Sequence, residues 1–307
     1  MCRHVFGPVP SRRLGRSLGI DPVPFKTCTY DCIYCQLGRT THKTLERREF
    51  FPVKMILDET RRKLDAGPKP DYITLSGSGE PTLHSGTGDI IAGIKQMTST
   101  PVAVLTNGSL LWLPEVRHAL LQADLVMPSL DAGDAQLFAF VNRPDPGLSF
   151  QQMVEGLVSF RDEYKGAIWL EVLLLAGVTA LEAEVLKLAR LIDRIKPDKV
   201  LLNTVVRPPA EDFALTVPRE KLSRLAGHLG GCVEVIAPYR DAPGESNFDA
   251  RRDDVLALLR RRPCTIEDLA AGLGMHRNEV AKYVQELLDT GTIRFLVQSG
   301  STYYAAT

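Results

Sequence analysis

The sequence predicts an α/β protein, a partial (β/α)6 TIM-like barrel with a small C-terminal winged-helix domain. From residue 71 onward, short apolar runs alternate with segments of helical periodicity. The apolar runs are continuous rather than alternating, as in parallel strands that are buried on both faces. About six strand–helix units fit into residues 1–240, which are few for a closed eightfold barrel. On this pattern alone, a doubly wound open sheet remains an alternative.

The strands and helices of the barrel follow from this pattern. The predicted strands cover residues 18–20, 72–75, 102–105, 125–127, 167–175, 199–205 and 233–237. The predicted helices cover residues 90–97, 114–121, 149–164, 181–195 and 218–229. Pro114 falls in the first turn of its helix, where the missing N–H of proline costs no hydrogen bond.

The pattern changes near residue 240. Residues 241–252 contain Pro243 and Gly244 and are predicted to form a linker. Beyond it we expect helices at 254–261, 266–271 and about 278–288, then a hairpin of strands 293–297 and 302–305. Three helices followed by a two-stranded wing are typical of a winged helix-turn-helix. The predicted domains are therefore the barrel, 1–240, and the winged helix, 253–307.

Composition indicates an ordinary globular protein. Of 307 residues, 44% are hydrophobic and 24% are charged, and the formal net charge is +0. No run of about eighteen apolar residues occurs, so we expect no membrane-spanning helix. The N-terminus lacks the apolar centre of a signal peptide. These features predict a cytoplasmic protein whose thiols stay reduced.

Two basic segments flank the cysteine-containing stretch that follows residue 27. They contribute Arg12, Arg13, Arg16, Arg39, Lys43, Arg47 and Arg48. These charges could attract an anionic substrate, or they could be solvated loops with ordinary surface charge.

Three cysteines, Cys28, Cys32 and Cys35, form a C-x3-C-x2-C run. Disulfides are disfavoured by the compartment and by the odd number of thiols in so short a stretch. Structural zinc takes four ligands, and the nearest fourth candidate is His42, seven residues on. Three thiolates suit an iron–sulfur cube, in which they leave one iron open to a small chelating ligand.

This run, with Tyr34 before the last cysteine, resembles the signature of radical S-adenosylmethionine (SAM) enzymes. The resemblance implies a [4Fe–4S] cluster held by the three cysteines. It also implies SAM bound at the open iron through its amino and carboxylate groups. Reduction by a flavodoxin- or ferredoxin-type donor would split SAM into methionine and a 5′-deoxyadenosyl radical, which takes a hydrogen atom from the substrate.

Further motifs support the same resemblance. Residues 78–81, Ser-Gly-Glu-Pro, stand where the family has Gly-Gly-Glu, with serine in place of the first glycine. Gly79 would let the backbone approach the cofactor, and Glu80 would pair with the SAM ammonium group. By resemblance, Asn107, Ser129 and Asp131 would contact the carboxylate and ribose of SAM. We also expect Tyr34, which precedes the last cysteine, and Asn203, which ends a predicted strand, to bind the cofactor. Taken singly, each strand-end polar residue could instead serve a turn or a helix cap.

Glu171 lies inside an apolar strand, where a carboxylate either points into the site or pairs with a buried base. We expect that the Glu171 side chain points into the site.

Residues 5 to 210 resemble a radical SAM branch related to the tRNA wyosine-forming enzymes. The resemblance is carried by residues 6–13 and 36–40. That branch has further N-terminal cysteines for a second cluster, whereas this chain has only the isolated Cys2, Cys232 and Cys264. We therefore do not expect wyosine synthesis itself, and we expect Cys232 and Cys264 to be buried apolar residues.

The sequence thus predicts a radical SAM enzyme that acts on a macromolecule, with tRNA the leading candidate. Residues 251–307 contain eight Arg or Lys against seven Asp or Glu, which is a weak charge excess for binding phosphates. The winged helix could therefore present either a nucleic acid or a protein substrate. Two alternatives remain: a DNA-binding regulator that senses SAM or the cluster, and a radical enzyme that modifies a peptide or protein.

Overall fold

The computed structural model describes residues 4–11, 13–236, 252–275, 277–298 and 300–307. In chain order its strands are β1 (Val5–Ser11), β2 (Gly15–Ile20), β3 (Thr27–Cys28), β4 (His42–Lys43), β5 (Tyr72–Leu75), β6 (Val102–Thr106), β7 (Leu125–Pro128), β8 (Ala167–Leu174), β9 (Lys199–Thr204), β10 (Val233–Val235), β11 (Ile293–Gln298) and β12 (Ser301–Ala306).

The helices lie between and after these strands. They are α1 (Val53–Ala66), α2 (Thr87–Met97), α3 (Pro114–Leu120), α4 (Ala135–Val141), α5 (Phe150–Glu163), α6 (Glu182–Ile195), α7 (Arg219–Ala226), α8 (Arg252–Leu259), α9 (Ile266–Leu273) and α10 (Arg277–Asp289), with a 3-10 turn at Pro81–Leu83. In the part of the chain that the structure describes, no helix is long and apolar enough to cross a membrane.

One eight-stranded sheet has the order β1-β2-β5-β6-β7-β8-β9-β10. β1 runs antiparallel to β2, and every other neighbouring pair is parallel. At least one helix lies between each consecutive pair of parallel strands, starting with α1 between β2 and β5 and ending with α7 between β9 and β10. The expected α/β fold with a partial barrel of β/α units is therefore confirmed.

The strand β8 shows how the barrel is packed. Its buried residues alternate with half-buried ones. Leu170 and Val172 belong to the main apolar cluster, which also contains Val185 and Leu188 of α6, so these two side chains face the helices. Glu171 lies on the opposite, inner face of the strand, which is only partly covered.

The inner face is closed by apolar side chains near the amino ends of the strands. This cluster consists of Leu14, Ala103, Leu125, Met127, Leu201 and Ile236, with Trp169 packed against it. The carboxyl ends of the strands therefore remain available for polar side chains.

The elements β1, α1 and α4 and the two-residue strands β3 and β4 were not predicted from the sequence. β1 contains Pro8, which an edge strand tolerates because one of its sides needs no ladder hydrogen bonds. Val53, Leu57 and Leu64 of α1 pack beside the buried Ile56, but two of its three fully buried residues, Glu59 and Thr60, are polar and weaken the apolar stripe. Glu59 accepts a hydrogen bond from the backbone N–H of His4 at 2.9 Å, which satisfies this buried carboxylate.

The two basic segments do not lie together. Arg16 donates its backbone N–H to Asp71 at 2.6 Å, at the amino end of the sheet just before β5. The cysteines follow the other end of β2, a strand about 20 Å long at about 3.3 Å per residue. Arg13 points into the barrel, and Arg12 lies outside the described residues. Only the segment that contains Lys43 and Arg48 accompanies the cysteine loop, because β4 pairs with β3.

The C-terminal helices and hairpin have their own apolar cluster. It is formed by Val255, Leu256, Leu258, Leu259, Cys264, Leu269, Ala270, Leu273, Met275, Val280, Val284, Leu287 and Ile293. Thr265 and Asp268 form a capping box at the start of α9. The predicted linker lies outside the described residues except for Arg252, which begins α8.

We predict that the outward face of β8 stabilises the fold. Leu170 is 0% exposed, whereas Leu186 on α6 is 42% exposed. Leu170→Ala should lower the free energy of unfolding by about 2–5 kcal/mol, because it removes buried contacts and leaves a cavity. Leu186→Ala, the matched control, should change it by about 0.5 kcal/mol or less. Denaturant unfolding checks both, and equal effects of the two variants would contradict this packing.

Candidate active site

The site residues predicted from the sequence lie at the carboxyl edge of the parallel strands. Glu80 follows β5, Asn107 follows β6, and Ser129 and Asp131 follow β7. Asn203 is near the end of β9. The cysteine loop begins after β2 at the same edge, since the turns that follow parallel strands all meet there.

The cysteine loop is fixed by backbone hydrogen bonds to its surroundings. Cys28 ends β3, which pairs with β4. The Ile33 N–H donates to the Val141 carbonyl at 2.9 Å, and the Cys35 N–H donates to the Cys32 carbonyl at 3.1 Å. All three cysteines are half-buried. The loop thus presents three thiols from a short, ordered stretch of chain.

Nitrogen donors contact each of the three sulfur atoms. Lys26 Nζ lies 3.1 Å from Cys35 Sγ. The side-chain amides of Asn107 and Asn142 each lie 3.6 Å from a sulfur, Asn107 from Cys28 and Asn142 from Cys32. Such donors stabilise a thiolate, which is the form of cysteine that binds metal.

Two of the thiols, Cys28 and Cys32, are poor acids in the metal-free chain. Burial, with a further contribution from Glu80, raises the pKa of Cys28 to about 12. Burial and the two neighbouring cysteines also raise the pKa of Cys32 well above its usual value. Metal binding must therefore displace protons, and the metal charge then compensates the buried thiolates.

The three thiols can serve as ligands of an iron–sulfur cube. Among the described residues, no three His, Cys, Asp or Glu side chains are arranged around one metal position. An iron–sulfur cube does not require that arrangement, because each cysteine sulfur binds a different iron.

Glu80 is 2% exposed and joins two strand ends. Its Oε1 accepts hydrogen bonds from Thr106 Oγ1 at 2.6 Å, from Thr82 Oγ1 at 2.6 Å and from the Thr82 N–H at 3.0 Å. Its Oε2 accepts from the Asn107 N–H at 2.7 Å. Burial raises the pKa of Glu80, and these hydrogen bonds oppose the rise. Oε1 accepts three of these hydrogen bonds and Oε2 accepts one, so Oε2 is the oxygen that can more readily accept a hydrogen bond from a ligand.

Gly79 passes directly against the cysteine strand. A Cβ at this position would lie 2.0 Å from the Thr27 carbonyl oxygen, which also accepts the Glu80 N–H at 3.0 Å. Only glycine fits so close an approach of two backbones. Packing against Thr27 therefore requires glycine at position 79, in addition to the cofactor role expected from the sequence.

Asp131 is 3% exposed and connects the cysteine loop to β8. Its Oδ1 accepts the Leu173 N–H at 2.9 Å. Its Oδ2 accepts from the Tyr34 hydroxyl and from the Asn142 amide at 3.2 Å. Burial raises the pKa of Asp131 to about 6, against the lowering effect of these hydrogen bonds.

Asn142 was missed by the sequence analysis. It caps α4, a helix that the pattern did not predict, and it is 2% exposed. Its amide contacts Asp131, the Tyr34 hydroxyl at 3.3 Å and Cys32. No local motif marks such a residue, since its partners are distant in the chain.

Glu171 faces the barrel interior and also pairs with a basic side chain, so it combines the two arrangements considered from the sequence. It lies on the inner face of β8, and it forms an ion pair with Arg13. The Asn203 amide donates to the same Oε1 at 2.9 Å. Ser129 is held next to this group because its backbone bridges to that of Glu171.

Two of the remaining cysteines, Cys232 and Cys264, lie among the described residues. Cys264 is buried, as expected, at 1% exposure. Cys232 is exposed, so the expectation that it is buried was wrong. Its position just before the edge strand β10 leaves its side chain uncovered. Cys2 lies outside the described residues.

Comparisons with known sequences find one matching family model and several relatives. The model of the radical SAM superfamily matches residues 23–192. A UPF0026 protein of Methanocaldococcus jannaschii is 40% identical over 305 residues, covering 97% of this chain and 94% of that protein. A Brachyspira hyodysenteriae protein named GTPase Obg is 37% identical over 306 residues. The match covers 99% of this chain but only 45% of that protein.

Solved structures share the fold at low sequence identity. A structure of TYW1 with a lysine–pyruvate adduct bound has 19% identity and a TM-score of 0.53, covering 73% of this chain and 75% of that one. A radical SAM methyltransferase from Sphaerobacter thermophilus has 18% identity and a TM-score of 0.59, covering 71% and 65%. Streptococcus suis SuiB bound to the precursor peptide SuiA has 14% identity and a TM-score of 0.55, covering 73% and 50%. These likenesses show the fold.

We predict a pH-dependent contribution of Asp131 to the stability of the metal-free protein. Its pKa is raised from 3.8 to about 6, so the folded state binds the proton more tightly than the unfolded state. Stability from this group is therefore fully present below about pH 4 and is lost as the pH rises through about 6. Relative to Asp131→Asn, the wild type should lose up to about 3 kcal/mol between pH 4 and pH 7. Urea unfolding of both proteins across this range checks it, and a pH-independent difference would contradict it.

Proposed function

Because this chain belongs to the radical SAM superfamily, we propose that Cys28, Cys32 and Cys35 hold a [4Fe–4S] cluster at which SAM is reductively cleaved. The radical chemistry then acts on a macromolecular substrate, for which tRNA is our leading candidate. Superfamily membership by itself implies SAM cleavage with an iron–sulfur cluster. The cluster type, the site residues and the substrate are the parts that we add.

The observation that carries the proposal is the arrangement of the three thiols. They lie on one short loop at the carboxyl edge of the sheet, and each sulfur has a nitrogen donor within 3.6 Å. Hydrogen bonds to cysteine sulfur are among the factors that set the reduction potential of an iron–sulfur cluster. This chain supplies them from Lys26, Asn107 and Asn142.

Two groups of residues beside the thiols would bind SAM. Gly79, Glu80 and Asn107 form the first, and Glu80 Oε2 is the atom that would take the SAM ammonium group. The second consists of Tyr34 in the cysteine loop and of Ser129, Asp131 and Asn203 at the neighbouring strand ends. When bound and reduced by a flavodoxin- or ferredoxin-type donor, the cluster supplies the electron that splits SAM into methionine and a 5′-deoxyadenosyl radical.

We assign residues 1–240 to the radical SAM core and 253–307 to a winged helix-turn-helix that presents the substrate. Support comes from the order of α8, α9, α10 and the β11–β12 hairpin, and from their separate apolar cluster. The tRNA assignment rests on the resemblance of residues 5 to 210 to the wyosine-forming branch. A peptide is the second candidate, because the peptide-bound SuiB structure shares the fold. A DNA-binding regulator is less favoured, since a sensor of redox state needs no SAM pocket.

The cluster assignment predicts that the triple change Cys28→Ala, Cys32→Ala and Cys35→Ala abolishes iron binding. After anaerobic reconstitution with iron and sulfide, the variant should lose nearly all bound iron and its absorbance near about 400 nm, where thiolate-bound iron–sulfur clusters absorb. Cys232→Ala removes an exposed thiol elsewhere and should retain both signals. Full iron retention in the triple variant would defeat the assignment.

The tRNA assignment predicts salt-dependent binding that depends on the basic segment beside the cysteines. Lys43 and Arg48 are exposed there, whereas Arg16 is exposed at the opposite end of the barrel. Changing Lys43 and Arg48 to Gln should weaken tRNA binding and flatten its dependence on salt between about 50 and 200 mM, because fewer counterions are released. Arg16→Gln, the control, should leave both unchanged.

The same titration with duplex DNA separates the alternatives. Binding of neither polymer at the lowest salt would contradict a nucleic-acid substrate and favour a peptide. Tight, sequence-selective binding of duplex DNA would favour the regulator.

A further inference from the structure

The C-terminal elements contact the barrel on two sides. Val9 of β1 packs against the C-terminal apolar cluster. The Tyr303 hydroxyl donates to the Val206 carbonyl at 2.7 Å, in the segment after β9. Arg207 lies 3.6 Å from Asp268 of α9 in the same region. The contacts at β1 and after β9 lie toward the two edges of the open sheet.

A further contact between the C-terminal elements and the barrel lies closer to the proposed SAM pocket. Arg261, just after α8, places its guanidinium 3.6 Å from the ring centroid of Phe6 in β1. Its Nη1 lies 3.2 Å from Asp21 Oδ2. The Phe6 face provides a cation–π contact that orients the planar guanidinium toward the carboxylate.

Asp21 in turn holds the loop that precedes Gly79. It is 7% exposed, and it accepts hydrogen bonds from the Ser78 hydroxyl and from the Ser78 N–H at 3.2 Å. Gly77 has φ +134°, and a Cβ there would lie 2.3 Å from Asp21 Oδ1. The carboxylate is therefore wedged against the Gly77–Ser78 backbone, and a displaced Asp21 would leave this turn without its anchor.

We propose that Arg261 is a positioning residue for the SAM pocket: it seats Asp21 against the Gly77–Ser78 turn and so sets the placement of Gly79 and Glu80. The C-terminal elements thereby control SAM affinity. The inference rests on the proposed function, in which Gly79 and Glu80 bind SAM. By linkage, a macromolecule that shifts the C-terminal elements on docking changes SAM affinity, and SAM changes the affinity for that macromolecule by the same factor.

The test measures SAM affinity in the full-length, cluster-reconstituted protein by calorimetry. Arg261→Met keeps an apolar stem on Phe6 but removes the charge, so SAM should bind about tenfold more weakly, a typical coupling between distinct sites. Iron content should stay unchanged. Arg260→Met, the control, alters the exposed neighbouring residue and should leave SAM affinity unchanged.

Two further variants separate positioning from a general loss of structure. Arg261→Lys restores the charge and should recover part of the lost affinity. Asp21→Asn should weaken SAM binding, and the Asp21→Asn/Arg261→Met double variant should be no weaker than the worse single variant, because the two residues act in series. Additive losses, or a SAM dissociation constant of Arg261→Met equal to that of the wild type, would overturn the inference. Failure of the wild type to bind SAM would overturn the proposed function itself.

Discussion

The parallel pairing of the strands from β2 to β9 is the constraint on which the whole site depends. It places the turns after β2, β5, β6 and β7 at one edge, so residues that are far apart in the chain become neighbours. Tyr34 and Asp131, separated by 97 positions, form a hydrogen bond there. An apolar cluster at the other end of the barrel covers that end of the interior.

The buried carboxylates of the site are held by neutral donors. Glu80 accepts from threonine hydroxyls and backbone N–H groups, and Asp131 accepts from Tyr34, Asn142 and a backbone N–H. Burial raises the pKa of both, so neither charge is fully compensated within the protein. Three thiolates would add further negative charge. A ligand that carries ammonium and sulfonium groups, as SAM does, would relieve this excess.

Local sequence pattern predicted those strands and site residues whose signal lies within one short segment of the chain. The predicted strand 72–75 has the same bounds as β5, because β-branched and apolar residues dominate Tyr72–Leu75. The predicted site residues gather because each follows a strand of the same parallel sheet. Pattern failed for α1, whose buried face includes Glu59 and Thr60, and for Asn142, whose side-chain partners come from two other segments, the cysteine loop and the turn after β7. Arg16 is close to the cysteines in sequence but not in space, because the length of β2 separates them.

The central claim is that this site cleaves SAM reductively, and formation of 5′-deoxyadenosine tests it most directly. The reconstituted protein should be reduced with dithionite under anaerobic conditions, mixed with SAM, and analysed for 5′-deoxyadenosine and methionine. The account predicts both products in equal amounts from the wild type and neither from the protein with all three cysteines changed to alanine. A cluster-loaded, reduced wild type that binds SAM but leaves it intact, or products that persist in the triple variant, would contradict it.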